Sequence, residues 1–444
     1  MQKTASRFDY LTKTPVPKLI CTLAIPTIIS MLVTGIYNAA DTYFVGRIST
    51  QATAAVGLVF SVMAVVQAFG FFCGHGSGNY ISRKLGAGDP EEAANMATTG
   101  FALAIIIGIV FAALGIIFVN PLAKFLGATP TTLKDTVDYL RIILLGAPFM
   151  MGQFVINNQL RFQGNAMYAM FGLLSGAVLN VALDPLLILV FHMGVSGAAI
   201  ATVTGQILSI FVLYYASTKG ENIRLDIHRI NFNRHYLKEI VNGGSPSLFR
   251  QGMAAISAIL LNVAAGKLGG DAAIAGMSIV NRIMMMLSSV LIGFGQGYQP
   301  VCSFNYGAGL TGRVKEGYYF CLKFATVFLI VVGVVCWFFA EPIVYWFRDD
   351  PEVVAVAARA LRYQVIASPF MGVTVVSNMM LQSIGKGLKA SITASARNGF
   401  CFIPLIIILP TFLGLTGVEM TQAIADVLAC IVSFPIAYSE LRKF

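Results

Sequence analysis

The chain has 444 residues, of which 57% are hydrophobic and only 11% are charged, and its formal net charge is +10. An ordinary soluble domain carries about 25% charged residues. This composition leaves too few polar groups to cover a soluble surface, so it excludes an ordinary soluble protein and predicts one that is dissolved in a lipid bilayer.

Apolar segments of about 20 residues, long enough to cross a bilayer as helices, follow one another along the chain. The first directly follows a basic N-terminal segment and has no convincing cleavage site, so we interpret it as a membrane helix rather than a signal peptide. These segments predict an all-α integral membrane protein of about twelve transmembrane helices. In chain order, the predicted spans are residues 18–45, 53–79, 93–118, 136–158, 167–191, 195–217, 240–265, 273–299, 315–340, 355–381, 389–411 and 417–439.

The Lys and Arg residues indicate the orientation of the chain. If the N-terminus is cytoplasmic, the inside segments hold eighteen Lys and Arg residues, starting with Lys3 and counting Lys18, Lys315 and Lys389 at the inner ends of spans, and the outside segments hold five. Cytoplasmic loops are enriched in these residues. We therefore expect a multi-pass protein of the cell membrane with both termini in the cytoplasm. Basic residues spread over short loops do not indicate nucleic-acid binding.

The two halves of the sequence resemble each other at an offset of 218 to 221 residues. We interpret this repeat as two pseudo-symmetric six-helix bundles of the same orientation, a plan found in transporters. The predicted lobes are 1–217 and 239–444, joined by a cytoplasmic linker at 218–238. The matching positions include Pro26 and Pro246, Pro148 and Pro369, Asn157 and Asn378, and Gly164 and Gly385.

Two aspartates fall inside predicted spans of the first half. Asp41 lies in the first span and Asp184 in the fifth. An ionisable residue at the centre of a membrane helix costs about 2.5–3.5 kcal/mol on insertion scales, and such residues commonly face a cavity, a partner or an ion path. Both are therefore candidate ion-coupling residues. For Asp41 the alternative is simple hydration near the outer interface.

Further polar residues surround Asp184 in the sequence. Asn180 precedes it by four residues, which puts both on one helical face, and Pro185 favours a kink that frees a carbonyl oxygen. Thr202 and Gln206 lie one turn apart in the next span. Together these groups predict an oxygen-rich site that suits a proton or Na⁺. The alternative is that they only link helices by hydrogen bonds.

Other residues are candidates for a substrate cavity, because aromatic and methionine side chains adapt to varied shapes. For each of them ordinary helix packing is the competing interpretation. Arg250, Arg282 and Arg397 lie in or near spans of the second half, where they could pair with carboxylates or attract an anionic substrate. The cavity candidates are Tyr37, Tyr139, Phe154, Gln206, Arg282 and Met286.

The order of these motifs resembles the multidrug and toxic compound extrusion (MATE) family over nearly the whole chain. The resemblance rests on Pro26, Asp41, SRKLGAGD at 82–89, LNVALDPLLI at 179–188 and the duplication. It implies a two-lobe antiporter that exports amphipathic, mostly cationic compounds against H⁺ or Na⁺. Spans 240–265, 273–299 and 355–381 contain no Asp or Glu, so the chain resembles the branch with an ion site in the N-lobe. The resemblance assigns ion coupling, and a possible Na⁺ site, to Asp41, Asn180, Asp184 and Thr202, with Asn157 nearby.

Three other functions remain as alternatives. A lipid or lipid-linked precursor flippase of the same superfamily would share the two-lobe plan. A membrane-embedded enzyme would need clustered His, Asp or Glu residues at one face, and a channel would not need duplicated lobes. The sequence has no Walker pattern for ATP. We therefore expect no cofactor and no enzymatic activity, transport driven by an ion gradient, and function as a monomer that handles small molecules.

Overall fold

The computed structural model describes residues 2–444, with side chains described from residue 7 onward. Lys3, predicted to be cytoplasmic, has a side chain outside this range. The regular structure of the described residues is helical. The helices are α1 Gln2–Lys13, α2 Val16–Gly46, α3 Thr50–Gly86, α4 Pro90–Ile117, α5 Val119–Phe125, α6 Leu133–Phe162, α7 Ala166–Pro185, α8 Gly194–Ser217, α9 Arg234–Gly307, α10 Thr311–Phe338, α11 Ala340–Phe347, α12 Pro351–Ser383, α13 Gly387–Ser395, α14 Phe402–Leu413 and α15 Leu415–Leu441.

Eleven helical segments of the described chain are long and apolar enough to cross a bilayer. One of them, α9, has 74 residues and would extend about 110 Å at 1.5 Å per residue, several times the thickness of a bilayer core. Gly270 interrupts α9 with φ 61° and ψ −153°, a conformation that is essentially restricted to glycine. Since α9 therefore supplies two crossings, the prediction of an all-α fold with about twelve transmembrane helices is confirmed.

The chain divides into two compact units. One consists of Met1–Thr14 and Thr22–Gly244, and the other of Pro15–Cys21 and Ser245–Phe444. In the first unit α6 packs against α3, α4 and α8, and in the second α12 packs against α10 and α15. In the apolar membrane-spanning stretches of α6 and α12, 61% and 78% of the residues are buried, a larger share than in the other spans described. Each unit is therefore built around one central helix.

The sequence repeat reappears as equivalent local structure in the two units. The side-chain amide of Asn157 donates a hydrogen bond to the carbonyl oxygen of Ala169 at 2.8 Å, and that of Asn378 donates to Ala390 at 2.6 Å. In both cases a residue of the central helix binds a carbonyl in the next helix, twelve positions further along the chain. The same contact at repeat-related positions supports the predicted pseudo-symmetry of the two bundles.

Candidate functional site

A small polar cavity of about 40 Å³ lies inside the first unit, between α2, α6, α7 and α8. It has room for a water molecule or a small cation. Five predicted site residues line this cavity, although they come from four separate helices. They are Tyr37, Phe154, Asn180, Thr202 and Gln206. Gln153, which the sequence analysis did not select, also lines it, and the Gln153 Oε1 atom is buried without a hydrogen-bond partner among the described residues.

Two glycines set the distance between α7 and α8 at this cavity. A Cβ at Gly176 would lie 2.5 Å from the carbonyl oxygen of Gly205, and a Cβ at Gly205 would lie 2.7 Å from that of Gly176. Small residues allow membrane helices to approach this closely. The approach puts the Asn180 amide 3.3 Å from the Thr202 hydroxyl, to which it donates a hydrogen bond. The helix contact thus joins two predicted site residues that are 22 positions apart.

Replacing Gly176 with Ala should destabilise the protein by about 1–3 kcal/mol, because the added methyl group meets backbone that cannot rotate away. Gly57→Ala is the matched control. Gly57 lies inside α3, where a Cβ would meet nothing within 4 Å, and there alanine is favoured over glycine by about 0.5–1 kcal/mol. Thermal unfolding of the purified variants in detergent measures both effects. Equal melting temperatures for the two variants would contradict this account of the α7–α8 contact.

Asp184 lies one helical turn beyond Asn180 on α7, and its relative exposure is 0%. Neither of its carboxylate oxygens has a hydrogen-bond partner among the residues described, and the same is true of the Asn180 side-chain oxygen. Buried polar atoms are normally hydrogen-bonded because an unsatisfied one costs free energy, and a buried unpaired charge costs more. A proton or a cation bound at this side chain would supply the missing partner.

The backbone changes form immediately after Asp184. Helix α7 ends at Pro185, and residues Leu186–Val190 form one π-helical turn, closed by a hydrogen bond from the Phe191 N–H to the Leu186 carbonyl at 3.0 Å. Proline cannot donate the hydrogen bond of a regular helix, and π-helical turns occur frequently at functional sites. Asp184 is thus positioned at the junction between two helical geometries.

Asp41 lies on α2, one turn beyond Tyr37, and is partly exposed. Its Oδ1 atom is buried and has no partner within the described chain. Asp41 and Asp184 interact electrostatically with each other. Tyr139 of α6, which is 1% exposed, interacts with both carboxylates and with Thr202. The two carboxylates and Tyr139 therefore form one cluster, a helical turn away from the cavity-lining Tyr37 and Asn180.

Three predicted site residues are not part of this cluster. Asn157 is buried and bonded to the Ala169 carbonyl, an arrangement that matches a structural link between helices. Arg282 and Met286 are exposed on α9, in the second unit. The structure therefore places Asp41, Asp184 and Tyr139 in the cluster and leaves these three residues outside both the cluster and the cavity. The predicted residues at the cavity are Tyr37, Phe154, Asn180, Thr202 and Gln206.

The second unit contains two intramembrane carboxylates that the sequence analysis missed, Glu419 and Asp426 of α15. Both lie in the predicted span 417–439, so acidic residues within that apolar span were the signal that could have identified them. Arg359 binds both oxygens of Glu419 at 2.6 and 2.7 Å. Arg397 binds Asp426 at 2.6 Å. Arginine therefore neutralises both of these carboxylates, whereas no described residue forms an ion pair with Asp41 or Asp184.

Comparison with known proteins gives a consistent result. The family model MatE matches residues 26–186 and 246–408, more than half of the chain. The chain is similar to the multidrug export protein MepA of Staphylococcus haemolyticus (strain JCSC1435), at 29% identity over 97% of this chain and 95% of that protein. It is similar to the solved structure of a MATE protein in complex with MaL6, with TM-score 0.92, 28% identity and 98% and 99% of the two chains covered. It is also similar to the outward-facing structure of a multidrug resistance MATE family transporter, with TM-score 0.91, 28% identity and 98% of each chain covered.

Proposed function

The chain belongs to the MatE family of membrane transporters, and from this premise we propose that it is a secondary active multidrug exporter. Its substrates are amphipathic, mostly cationic small molecules, and export is driven by H⁺ or Na⁺ moving in the opposite direction. The observation that carries the proposal is Asp184, a fully buried intramembrane carboxylate with no hydrogen-bond or ion-pair partner among the described residues. Transport of this kind needs a charge that can be neutralised reversibly, and Asp184 provides one.

Asp41 and Asp184 are the proposed ion-coupling pair. In the proposed cycle a proton or Na⁺ neutralises the pair, with Asn180 and Thr202 supplying further oxygen atoms. Neutralisation removes the need to hydrate the two carboxylates and so changes the relative stability of two conformations of the N-half. A cationic substrate favours the conformation with ionised carboxylates. Coupling then requires only that ion and substrate have different affinities for the two conformations.

The substrate class is supported by the comparison with a named relative rather than by the first-unit cavity. That cavity, of about 40 Å³, has room only for a water molecule or a small cation, so we assign it to ion coupling. The Staphylococcus relative is named as a multidrug export protein, which also favours drug export over the lipid-linked flippase alternative. We further propose that the protein acts as a monomer without a cofactor, and that both termini are cytoplasmic, as the Lys and Arg bias indicates.

Reconstituted vesicles test the proposed function directly. The purified protein is inserted into liposomes loaded with a fluorescent cationic dye, and an inward-directed H⁺ or Na⁺ gradient is imposed in turn. We expect dye efflux to accelerate with one of the gradients and to stop when an ionophore collapses it. Efflux that is equally fast with and without both gradients would contradict antiport. Efflux no faster than from protein-free liposomes would contradict export of cationic compounds.

A further inference from the structure

A second cavity, of about 210 Å³, lies inside the second unit, between α9, α12, α13 and the π-helical turn Ala396–Phe400. Several of its lining positions are repeat partners of positions that line the first-unit cavity. At offsets of 220 or 221 residues, the pairs include Thr34 with Ala254, Gln153 with Thr374, and Gly176 with Arg397. The two halves therefore enclose cavities at equivalent places. The two cavities differ because different residues occupy the paired positions.

The charges around the two cavities have opposite signs. Two arginines, Arg250 and Arg397, line the second-unit cavity, and no Asp or Glu is among the described residues that line it. Arg397 is neutralised by Asp426. Arg250 contacts only a neutral group, the Asn378 side-chain oxygen at 3.3 Å, and no described acidic residue interacts with it. One positive charge therefore faces this cavity without compensation inside a membrane-spanning segment, where charged residues are normally paired.

The other residues that line this cavity indicate what kind of negatively charged ligand could bind to Arg250. Ala254, Ile292, Met371 and Val375 contribute apolar side chains to the lining, and Thr374 and Asn378 contribute a hydroxyl and an amide. A guanidinium presents parallel N–H donors that match the two oxygens of a carboxylate or phosphate. The lining thus combines positively charged and polar groups with apolar side chains, which is the combination that an amphipathic anion requires.

We propose that this cavity binds the oxyanion group, a carboxylate or a phosphate, of an amphipathic small molecule, and that Arg250 is its main ligand. The inference rests on the proposed transport function and extends its substrates from cations to amphipathic anions and zwitterions. Binding at Arg250 does not involve the Asp41–Asp184 pair. The proposal of oxyanion binding and the proposal of ion-coupled export can therefore fail separately, because the first is tested by equilibrium binding and the second by gradient-driven efflux.

Equilibrium binding to the full-length protein in phosphatidylcholine nanodiscs tests the proposal. The probes are dansyl-undecanoic acid and its methyl ester, which share their apolar body and differ in the negative charge. We expect the acid to bind more tightly than the ester. Arg250→Gln should weaken binding of the acid by about tenfold or more, because a charge-assisted hydrogen bond is lost, and should leave binding of the ester unchanged. Arg250→Lys, which keeps the charge but loses the paired donors, should fall between the parent and Arg250→Gln.

Arg348→Gln is the matched control, since Arg348 is exposed in the same unit and does not line the cavity. Equal affinity for acid and ester, or equal weakening of acid binding by Arg348→Gln and Arg250→Gln, would overturn the proposal. A second arm replaces phosphatidylcholine with phosphatidylglycerol. If the anionic lipid displaces the acid from the parent protein, the oxyanion comes from a lipid headgroup. If it does not, the oxyanion comes from a free amphipathic molecule.

Discussion

Asp184→Asn should reduce gradient-driven dye efflux to the rate measured without a gradient, a loss of about tenfold or more. Asparagine keeps the size of the side chain but cannot carry a negative charge, so it can neither release a proton nor bind a cation as a carboxylate does. Among the described residues, Asp41 is the only other carboxylate that interacts electrostatically with Asp184. Asp41→Asn should also lower coupled efflux, and by a smaller factor because Asp41 is partly exposed.

The matched control for this prediction is Asp271→Asn. Asp271 is exposed on α9, outside the first unit, and the same chemical change there should leave efflux at the parental rate. All variants are compared in the same liposomes, with protein content and melting temperature checked first. If Asp184→Asn and Asp41→Asn both transport dye at the parental rate under the gradient that drives the parent, the carboxylates are not the coupling residues. The exporter would then need another source of coupling.

Arg397→Gln should lower the free energy of unfolding by about 3–5 kcal/mol, the second large effect that we expect. The Asp426 side chain is 1% exposed and its partner Arg397 is 20% exposed. Besides Arg397, Gln422 donates a hydrogen bond to Asp426 at 2.9 Å. Once the guanidinium is removed, that neutral amide remains as the only described partner of a buried carboxylate. The penalty arises because the aspartate stays desolvated after its counter-charge has gone.

The double variant Arg397→Gln/Asp426→Asn separates this cause from a simple loss of packing. It replaces the buried ion pair with two neutral amides of similar size, so it should recover most of the lost stability. Arg348→Gln serves as the control for an exposed arginine and should change stability by no more than about 0.5 kcal/mol. Thermal unfolding in detergent provides the comparison. A double variant as unstable as Arg397→Gln alone would show that Arg397 stabilises the protein by contacts other than its pairing with Asp426.

The two halves therefore use intramembrane carboxylates in different ways. In the second half Glu419 and Asp426 each form an ion pair with an arginine, so their charges are compensated within the protein. In the first half Asp41 and Asp184 face no arginine or lysine among the described residues. The sequence predicted this asymmetry from the absence of Asp and Glu in three spans of the second half. The structure explains the asymmetry differently. The last span of the second half does contain carboxylates, and arginines neutralise them.

Much of the N-half site could be predicted because its key relationships are local. Asn180 with Asp184 and Tyr37 with Asp41 are each four residues apart, so helical periodicity alone puts each pair on one face. Asn157 was predicted to take part in ion coupling, and Arg282 and Met286 were predicted to line a substrate cavity; the structure leaves all three outside the cluster. Whether each of these side chains reaches the cluster depends on which helices pack together. The hydropathy of the sequence does not specify that packing.

The sequence by itself determined the membrane class, the number of spans and the internal repeat. These properties follow from apolar segment length and from residue identity at a constant offset, so they need no knowledge of packing. Only the tertiary structure decided which buried charges are compensated. The approach of Gly176 to Gly205 and the pairing of Arg397 with Asp426 join residues 29 positions apart. An intramembrane charge acts as a structural or a functional group according to the partner that packing brings to it.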